Sequence, residues 1–326
     1  MTGRCTRFLV FDGTKQRRKA AMTNSPRKGV SRRELVGAAA AAVAAFTFVP
    51  RRVLGAVGQP SANHKLNIAG IGVGGRGAAD IDGVAGENIA FLCDVDLSKA
   101  SGTIKKHPQA KLYRDFRAML EKEQKNIDAV VIGAPDHIHA PAAIMAMKMG
   151  KHVYCEKPMA HTIYEARRMA QVAKETGVVT QMGNQGHAGD GLRQYWEYIH
   201  DGAIGQVKEV HVWSDRAGTP ERAWWPQGVR RPEGSESVPQ NLDWDLWLGP
   251  ARWRPYHSAY VPFKWRGWWD FGCGALGDMA VHNADPAFFA LDLDAPIAVE
   301  AETSEVNDDT FPKWNIIHYY FAAKGS

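Results

Sequence analysis

Gly72-Val73-Gly74-Gly75-Arg76-Gly77 is the stretch that decides how this chain is read. It follows an apolar run, Leu66-Asn67-Ile68-Ala69-Gly70-Ile71, and leads into Ala78-Ala79-Asp80-Ile81. That order predicts a short buried strand, a glycine turn and the start of a helix. Gly72, Gly74 and Gly77 sit where a tight turn, a close backbone approach to a pyrophosphate and tight helix–strand packing each need a glycine. Gly75 and Arg76 complete the loop, and the phosphates would rest on free N–H groups at the helix start. A plain turn also fits a glycine-rich stretch, and Gly70 offers a second register. Asp94 favours the dinucleotide reading: it closes the next apolar run, 88–93, at about the 20-residue spacing of a ribose-binding acid. A carboxylate there predicts NAD, because it repels a 2′-phosphate; Arg76 at the loop leaves NADP open.

Working outward, strand and helix signals alternate from Lys65 to about Met182. Apolar runs at 66–71, 88–93, 128–134, 151–155 and 178–182 are separated by helical patterns, among them 115–122, 140–150 and 162–176. This alternation predicts an α/β fold with a doubly wound parallel sheet. Gly150 and Gly177 stand where helices end. Beyond residue 186 the texture changes. A helix is expected over Leu192–Gly202 and a strand over Val207–Ser214. A long irregular stretch, 215–270, follows, and nine of the eleven tryptophans lie between Trp213 and Trp269. A loop that long is functional or disordered, and its aromatic density argues for order. A helix over 275–291 broken near Pro286 and strands at Ile297–Val306 and Asn315–Ala322 complete the pattern. Two strands do not make a stable sheet alone, so the chain reads as C-terminally truncated within an open, mostly antiparallel sheet. The expected domains are a leader, 1–58, a nucleotide-binding domain, 63–185, and a substrate and oligomerisation domain, 186–326.

The leader is read as an export signal. Ser31-Arg32-Arg33-Glu34-Leu35 precedes an Ala/Val/Phe run to about Val49 and small residues at 55–58. A basic segment, a short apolar segment and a small-residue exit describe such a signal, and the paired arginines point to the twin-arginine route into the periplasm. The apolar run is too short and alanine-rich for a stable membrane span. Residues 1–58 carry 12 Lys/Arg and 2 Asp/Glu, that is +10 of a whole-chain +5, which leaves the rest at −5. The basic balance therefore gives no reason to expect a nucleic-acid partner. Outside the leader three cysteines remain, Cys93, Cys155 and Cys273, an odd and sparse set that is no disulfide framework.

Three short segments carry polar groups that chemistry could use. Pro135-Asp136-His137-Ile138-His139 leaves a strand at the carboxyl edge, where open α/β sheets bind ligands. The two histidines have a metal-like spacing but no clear third ligand, so no metal is expected; a helix-start histidine bonded to backbone is the plainer reading. Glu156-Lys157-Pro158 leaves the next strand. A lysine held there beside Glu156 suits proton or alkoxide work, although an isolated Glu-Lys pair is more often a solvated turn. Asp278-Met279-Ala280-Val281-His282 puts an acid and an imidazole on one helix face, where the acid can orient a histidine acting near neutral pH. Taken alone, such a pair is more often a surface contact.

Together these segments resemble the Gfo/Idh/MocA oxidoreductase family, the relatives of glucose–fructose oxidoreductase and inositol dehydrogenase, over about residues 65–322. The leader, the Gly183-Asn184-Gln185-Gly186-His187 run and the Trp-rich segment look like an exported bacterial branch. The resemblance implies a Rossmann domain, then an α/β domain whose open sheet covers the cofactor and forms the interface of a homo-oligomer. It implies Lys157 as the catalytic lysine, Glu156-Lys157-Pro158 at the nicotinamide, and Asp278 and His282 facing the substrate. Pro135 and His139 join Gly72, Gly74, Gly75, Arg76, Gly77 and Asp94 as expected cofactor residues. Trp268 and Trp269, just before the Asp278 helix, are the tryptophans expected to touch substrate. The expected reaction is hydride transfer between a nicotinamide cofactor and a hydroxyl of a sugar or polyol. In it His282 takes the proton, Asp278 steadies the imidazolium and Lys157 stabilises the alkoxide. Two other classes remain: an NAD-dependent glycosidase that oxidises its sugar transiently, and a non-catalytic protein that senses sugar or cofactor.

Overall fold

The first half of the chain alternates strand and helix as its apolar runs require. The strands are β1 (Asn67–Ile71), β2 (Asn88–Cys93), β3 (Lys111–Tyr113), β4 (Ala129–Ile132), β5 (His152–Glu156) and β6 (Thr180–Gly183). They form one sheet in the order β3-β2-β1-β4-β5-β6, and every neighbouring pair is parallel. The order reverses between β1 and β4, so the crevice beyond their carboxyl ends is where this fold binds a ligand. This is a computed structural model; it describes residues 65–217 and 224–323. The expected twin-arginine leader, 1–58, lies outside the described residues.

Both faces of the sheet are covered. Ala69, Ile71, Val130, Ile132, Val153 and Cys155 point into one core, against Ala142, Ala143, Ala146 and Met147. Ile68, Leu92 and Val131 point the other way, against Ile81 and Ala100. That alternation within strands is the period of two of a pleated sheet. Around it lie α1 (Arg76–Gly83), α2 (Leu97–Lys106), α3 (Phe116–Glu123), α4 (Asp136–Lys148) and α5 (Ile163–Thr176). Asp96 and Asp115 cap α2 and α3. Thr162 and Glu165 form a capping box on α5, and Gly177 ends it at φ 67°; such caps satisfy orphan helix-end groups. One boundary moves against expectation: α4 begins at Asp136 rather than 140. The Asp136–His139 segment is therefore the first turn of a helix.

The second half is α6 (Asp190–His200), α7 (Trp244–Leu248), α8 (Gly274–Asn283), α9 (Asp285–Ala290), β7 (Ala298–Thr303) and β8 (Asn315–Tyr320). The break between α8 and α9 falls beside Pro286, as expected. β7 and β8 pair antiparallel as a two-stranded sheet. The strand expected at 207–214 does not form. Val210, Val212 and Trp213 stand exposed there, so the alternating pattern buries no face. Within the described part of 215–271, Trp244, Trp247, Tyr256, Tyr260, Trp265, Trp268 and Phe271 form an aromatic core. Among the described residues no helix is long and apolar enough to cross a membrane.

Candidate active site

The glycine turn is built by exclusion. Gly72 takes φ +70°, and a Cβ there would lie 2.6 Å from the Ala134 backbone. A Cβ on Gly77 would run into the Gly72 carbonyl. Neither position admits a side chain. Gly74, expected to leave room for a pyrophosphate, instead packs near Lys99 of α2, 3.1 Å from a Cβ built on it. The open position is Gly75, at φ +51° with nothing within 4 Å of a Cβ. α1 starts there with no side-chain cap and no acid in its first turn, which leaves helix-end N–H groups for an anion.

Asp94 is turned first to the loop. Its Oδ2 accepts from Val73 N at 2.8 Å and Gly74 N at 3.1 Å, and its Oδ1 from Asp96 N at 2.8 Å. The carboxylate expected at the ribose therefore also clamps the turn, although burial pushes its pKa up. Arg76 is turned inward. Its Nη2 lies 2.9 Å from Asp80, and its Nε donates to Glu156 Oε1 at 3.2 Å. Burial and the neighbouring Glu156 charge push Asp80 up to about 6.

β5 and α8 converge from positions 121 residues apart. Lys157 Nζ lies 3.1 Å from Asp278 Oδ1 and 3.2 Å from the Asp278 carbonyl. The same Oδ1 accepts from Arg266 Nε at 3.2 Å. Asp278 is buried, so its charge is met by two cations within hydrogen-bond distance. Its partners are thus Lys157 and Arg266. The expected pairing with His282 is not the contact it makes, although both residues lie on α8. His282 is half-buried; burial, and then the Lys157 charge, hold its pKa below the usual histidine value. A neutral imidazole at neutral pH can accept a proton.

Glu156 is buried beneath the same corner, where Arg76, Tyr154 and Gln185 all donate to its Oε1. A Cβ at Gly183 would lie 2.5 Å from that carboxylate and 2.6 Å from the Tyr154 hydroxyl, so β6 approaches the corner closely. Asn184 Nδ2 donates to Val281 O at 3.0 Å, tying β6 to α8. Its buried Oδ1 has no partner among the described residues. A bare helix start, an open Gly75 and a spare buried acceptor fit a dinucleotide lying across the carboxyl edge.

Asp136 and the two histidines of α4 are buried. Asp136 Oδ2 accepts from Cys273 N at 3.1 Å, at the start of α8. Both ring nitrogens of His137 face carbonyls, of Trp247 at 3.0 Å and Phe271 at 3.2 Å, and burial pushes its pKa down to about 4. Those of His139 lie 2.7 Å from the Pro158 and Ala134 carbonyls. His139 is 1% exposed, which corrects its expected place against the cofactor. It pins the segment after Lys157 to the segment after β4. Pro135 stands at the N-cap of α4, on that same edge.

Trp268 is also corrected. It is 2% exposed inside the aromatic core, and its indole N–H donates to Ala259 O at 3.0 Å, so it has no face to offer a substrate. Trp269 is partly exposed, lies against Phe311 and donates to Asn307 O at 3.0 Å. Arg266, Asn184 and Gln185 had no place among the expected site residues. Arg266 sits in an aperiodic segment, and no local pattern marks it.

One part of the Trp-rich segment reaches the nucleotide side. Residues 241–243 pair with 95–97 just after β2: Leu97 N donates to Asn241 O at 3.1 Å and Asp243 N to Val95 O at 2.9 Å. Arg114 Nη2 reaches both Val95 O at 3.0 Å and Asn241 O at 2.7 Å. α7 then runs to Trp247, whose carbonyl meets His137 just after β4. Since β2 and β4 flank β1, this strap joins the loops on either side of the glycine turn.

Comparison with known proteins agrees with this architecture. Residues 66–184 match the Gfo/Idh/MocA oxidoreductase NAD-binding Rossmann fold, and residues 191–326 the family's C-terminal α/β domain. Inositol 2-dehydrogenase of Salmonella typhimurium is 30% identical over 190 residues, 56% of this chain and 54% of that protein. The 1,5-anhydro-D-fructose reductase of Ensifer adhaerens is 27% identical over 53% of this chain and 40% of its own length. The chain thus spans about half the length, or less, of these curated relatives. The WlbA dehydrogenase of Bordetella pertussis, solved with NADH and UDP-GlcNAcA, superposes with a TM-score of 0.56. At 21% identity, over 78% of this chain and 68% of that one, it shows a shared fold.

Proposed function

Because the chain carries both the NAD-binding and the C-terminal domains of the Gfo/Idh/MocA oxidoreductase family, we propose that it moves a hydride between a nicotinamide dinucleotide and a hydroxyl-bearing carbon of a sugar or polyol. The observation that carries this reading is the Lys157–Asp278 pair, 3.1 Å apart beside half-buried His282 at the carboxyl edge of the sheet. Gly75, the start of α1, Asp94 and the corner around Glu156 would hold the dinucleotide. When bound, it supplies the hydride chemistry. His282, kept neutral, takes the hydroxyl proton. Lys157, fixed by Asp278, donates to the oxygen where charge develops. Asp278 acts on Lys157 here, where the sequence suggested that it steadies His282. Relatives named for inositol and anhydrofructose support the substrate class.

A panel of myo-inositol and simple sugars, with NAD or NADP and nicotinamide absorbance as readout, tests it. Turnover with one polyol that Lys157→Ala abolishes is expected; a panel with no turnover in either direction sinks it.

The strap over 239–248 favours a second reading. A dinucleotide held beneath it would exchange slowly and suit a cycle that removes a hydride and returns it, as in an NAD-dependent glycosidase. Hydrolysis of aryl glycosides with no added NAD and no net NADH would favour this alternative. A sensor without catalysis is disfavoured by Lys157 held at 3.1 Å by buried Asp278 at the carboxyl edge. We also propose export by the twin-arginine route, resting on Ser31-Arg32-Arg33, and a homo-oligomer through the C-terminal sheet. Val299 and Tyr319, paired directly across β7 and β8, stand exposed and support an interface there.

A further inference from the structure

We propose that His187, held by Asp285, is a second proton-transfer residue of this site: its Nε2 removes and returns the proton on the carbon next to the ketone that hydride transfer creates. The proposal rests on the site taking that ketone, as the proposed function has it, but the proton transfer itself needs no hydride to move.

The run Asn184-Gln185-Gly186-His187 leaves β6 at the carboxyl edge, and its side chains reach separate parts of the corner. Asn184 Nδ2 donates to Val281 O of α8 at 3.0 Å, and Gln185 Nε2 donates to Glu156 Oε1. Gly186, at φ +96°, then turns the chain, and His187 N donates back to Asn184 O at 3.2 Å. That turn brings the imidazole to Asp285, with Nδ1 2.9 Å from both carboxylate oxygens. The ring also stands edge-on to Phe289, their centroids 5.6 Å apart.

Asp285 continues the helix face that carries the residues described above. Ala284 stays helical between α8 and α9, at φ −89° and ψ −15°, and its N–H donates to Ala280 O at 2.8 Å. Asp278, His282 and Asp285 therefore follow one another at i, i+4 and i+7, one face of a helix. Lys157 meets the first of them and His187 the last, with His282 between.

A carboxylate only accepts, so Nδ1 of His187 carries the hydrogen, and the neutral ring leaves Nε2 as its basic nitrogen. An acid on Nδ1 that fixes the tautomer and orientation of an imidazole is the arrangement of a general base. The His187 side chain is 47% exposed, so a proton taken up on Nε2 exchanges with solvent.

The hydride reading uses one base, His282, and that imidazole is already charged once the hydroxyl proton has moved to it. The ketone so formed acidifies the C–H bonds on either side. When one of these breaks, its proton passes to His187 Nε2 and the electron pair moves onto the carbonyl oxygen, to which Lys157 donates. Return of a proton from Nε2 to the carbon restores the ketone, and nothing is oxidised or reduced.

The experiment follows the keto forms of myo-inositol and the panel sugars in D2O with the full chain and NAD, by loss of the proton NMR signal next to the carbonyl. The wild type should exchange that proton of one ketone about ten-fold or more faster than buffer alone. His187→Asn keeps a group that can donate to Asp285 but has no basic nitrogen, and should lower the rate about 10²-fold. Deuteride transfer from labelled NADH to the same ketone gives the comparison. In His187→Asn the ratio of exchange to deuteride transfer should fall about ten-fold or more, whereas a defect in folding or binding lowers both together. A constant ratio would mean that the pair only ties the 184–187 run to α9, and a wild type with no exchange above buffer would mean that the site holds no second base. Either overturns the proposal. Should His187→Asn fail to fold, Asp285→Asn, which frees the ring to take the wrong tautomer, should lower the same ratio; an unchanged ratio there overturns it as well. Exchange by the wild type without deuteride transfer would sink the hydride reading and leave the second base standing.

Discussion

Residues 67–183 and the described residues of 215–272 satisfy their backbones in different ways. In the first, N–H and C=O groups pair in strand ladders and helices, and apolar residues follow the period those elements impose. In the second, the only helices among the described residues are α7 and a short 3-10 turn, and side chains take over the pairing. Indole N–H groups of Trp244, Trp268 and Trp269 donate to the carbonyls of Arg254, Ala259 and Asn307. His137 meets those of Trp247 and Phe271. A tryptophan fills a core with its ring while offering one donor to a backbone that has no ladder. The tryptophan density of this segment is thus its means of folding, and the reading of Trp268 as a substrate platform fails for that reason.

Trp268→Ala tests this contrast most severely. Removing a buried ring and leaving the Ala259 carbonyl unpaired should cost about 3–5 kcal/mol in urea unfolding. Trp253, 73% exposed, should cost no more than about 0.5 kcal/mol as alanine. Equal losses would dissolve the distinction between a packed aromatic core and scattered surface rings.

The sheet half was legible because its information is local. The glycine turn, Asp94, the strand runs and Glu156-Lys157-Pro158 each declare themselves within a few residues, and topology then places them at one edge. Lys157 accordingly falls at that edge, just after β5. Lys157→Ala should lower turnover about 10³-fold, and His282→Ala about 10²-fold, with NADH binding kept in both. Since burial and Lys157 lower the His282 pKa, log kcat/KM should fall on the acid side with a midpoint below the usual histidine value, as the imidazole gains a proton. A limb above that value would assign the base elsewhere.

Other features were not legible because they are distances between remote residues. Arg266 reaches Asp278 through an aperiodic turn. Asp94 looks like a ribose ligand by spacing, yet its oxygens also clamp the loop. Residues 207–214 alternate like a strand but pair with none and leave Val210, Val212 and Trp213 exposed. Pattern alone reports what a segment can do, and partners decide what it does.

The smallest effect expected is at the junction of the two regions. Arg114→Ala removes two hydrogen bonds from the strap, worth about 1 kcal/mol each. The NADH off-rate, followed by fluorescence, should rise several-fold. An unchanged off-rate would separate the strap from cofactor retention.

On the proposed function, the Lys157 corner oxidises a carbinol carbon to a ketone, or reduces that ketone, with a bound nicotinamide. Deuterium transfer from NADH deuterated at the reactive carbon to the keto forms of the polyol panel, read by mass spectrometry of the products, tests this most directly. Transfer to one carbon by the wild type, and none by Lys157→Ala with NADH still bound, is the predicted result. Equal transfer by both proteins, or NADH binding with no transfer to any member of the panel, would contradict it.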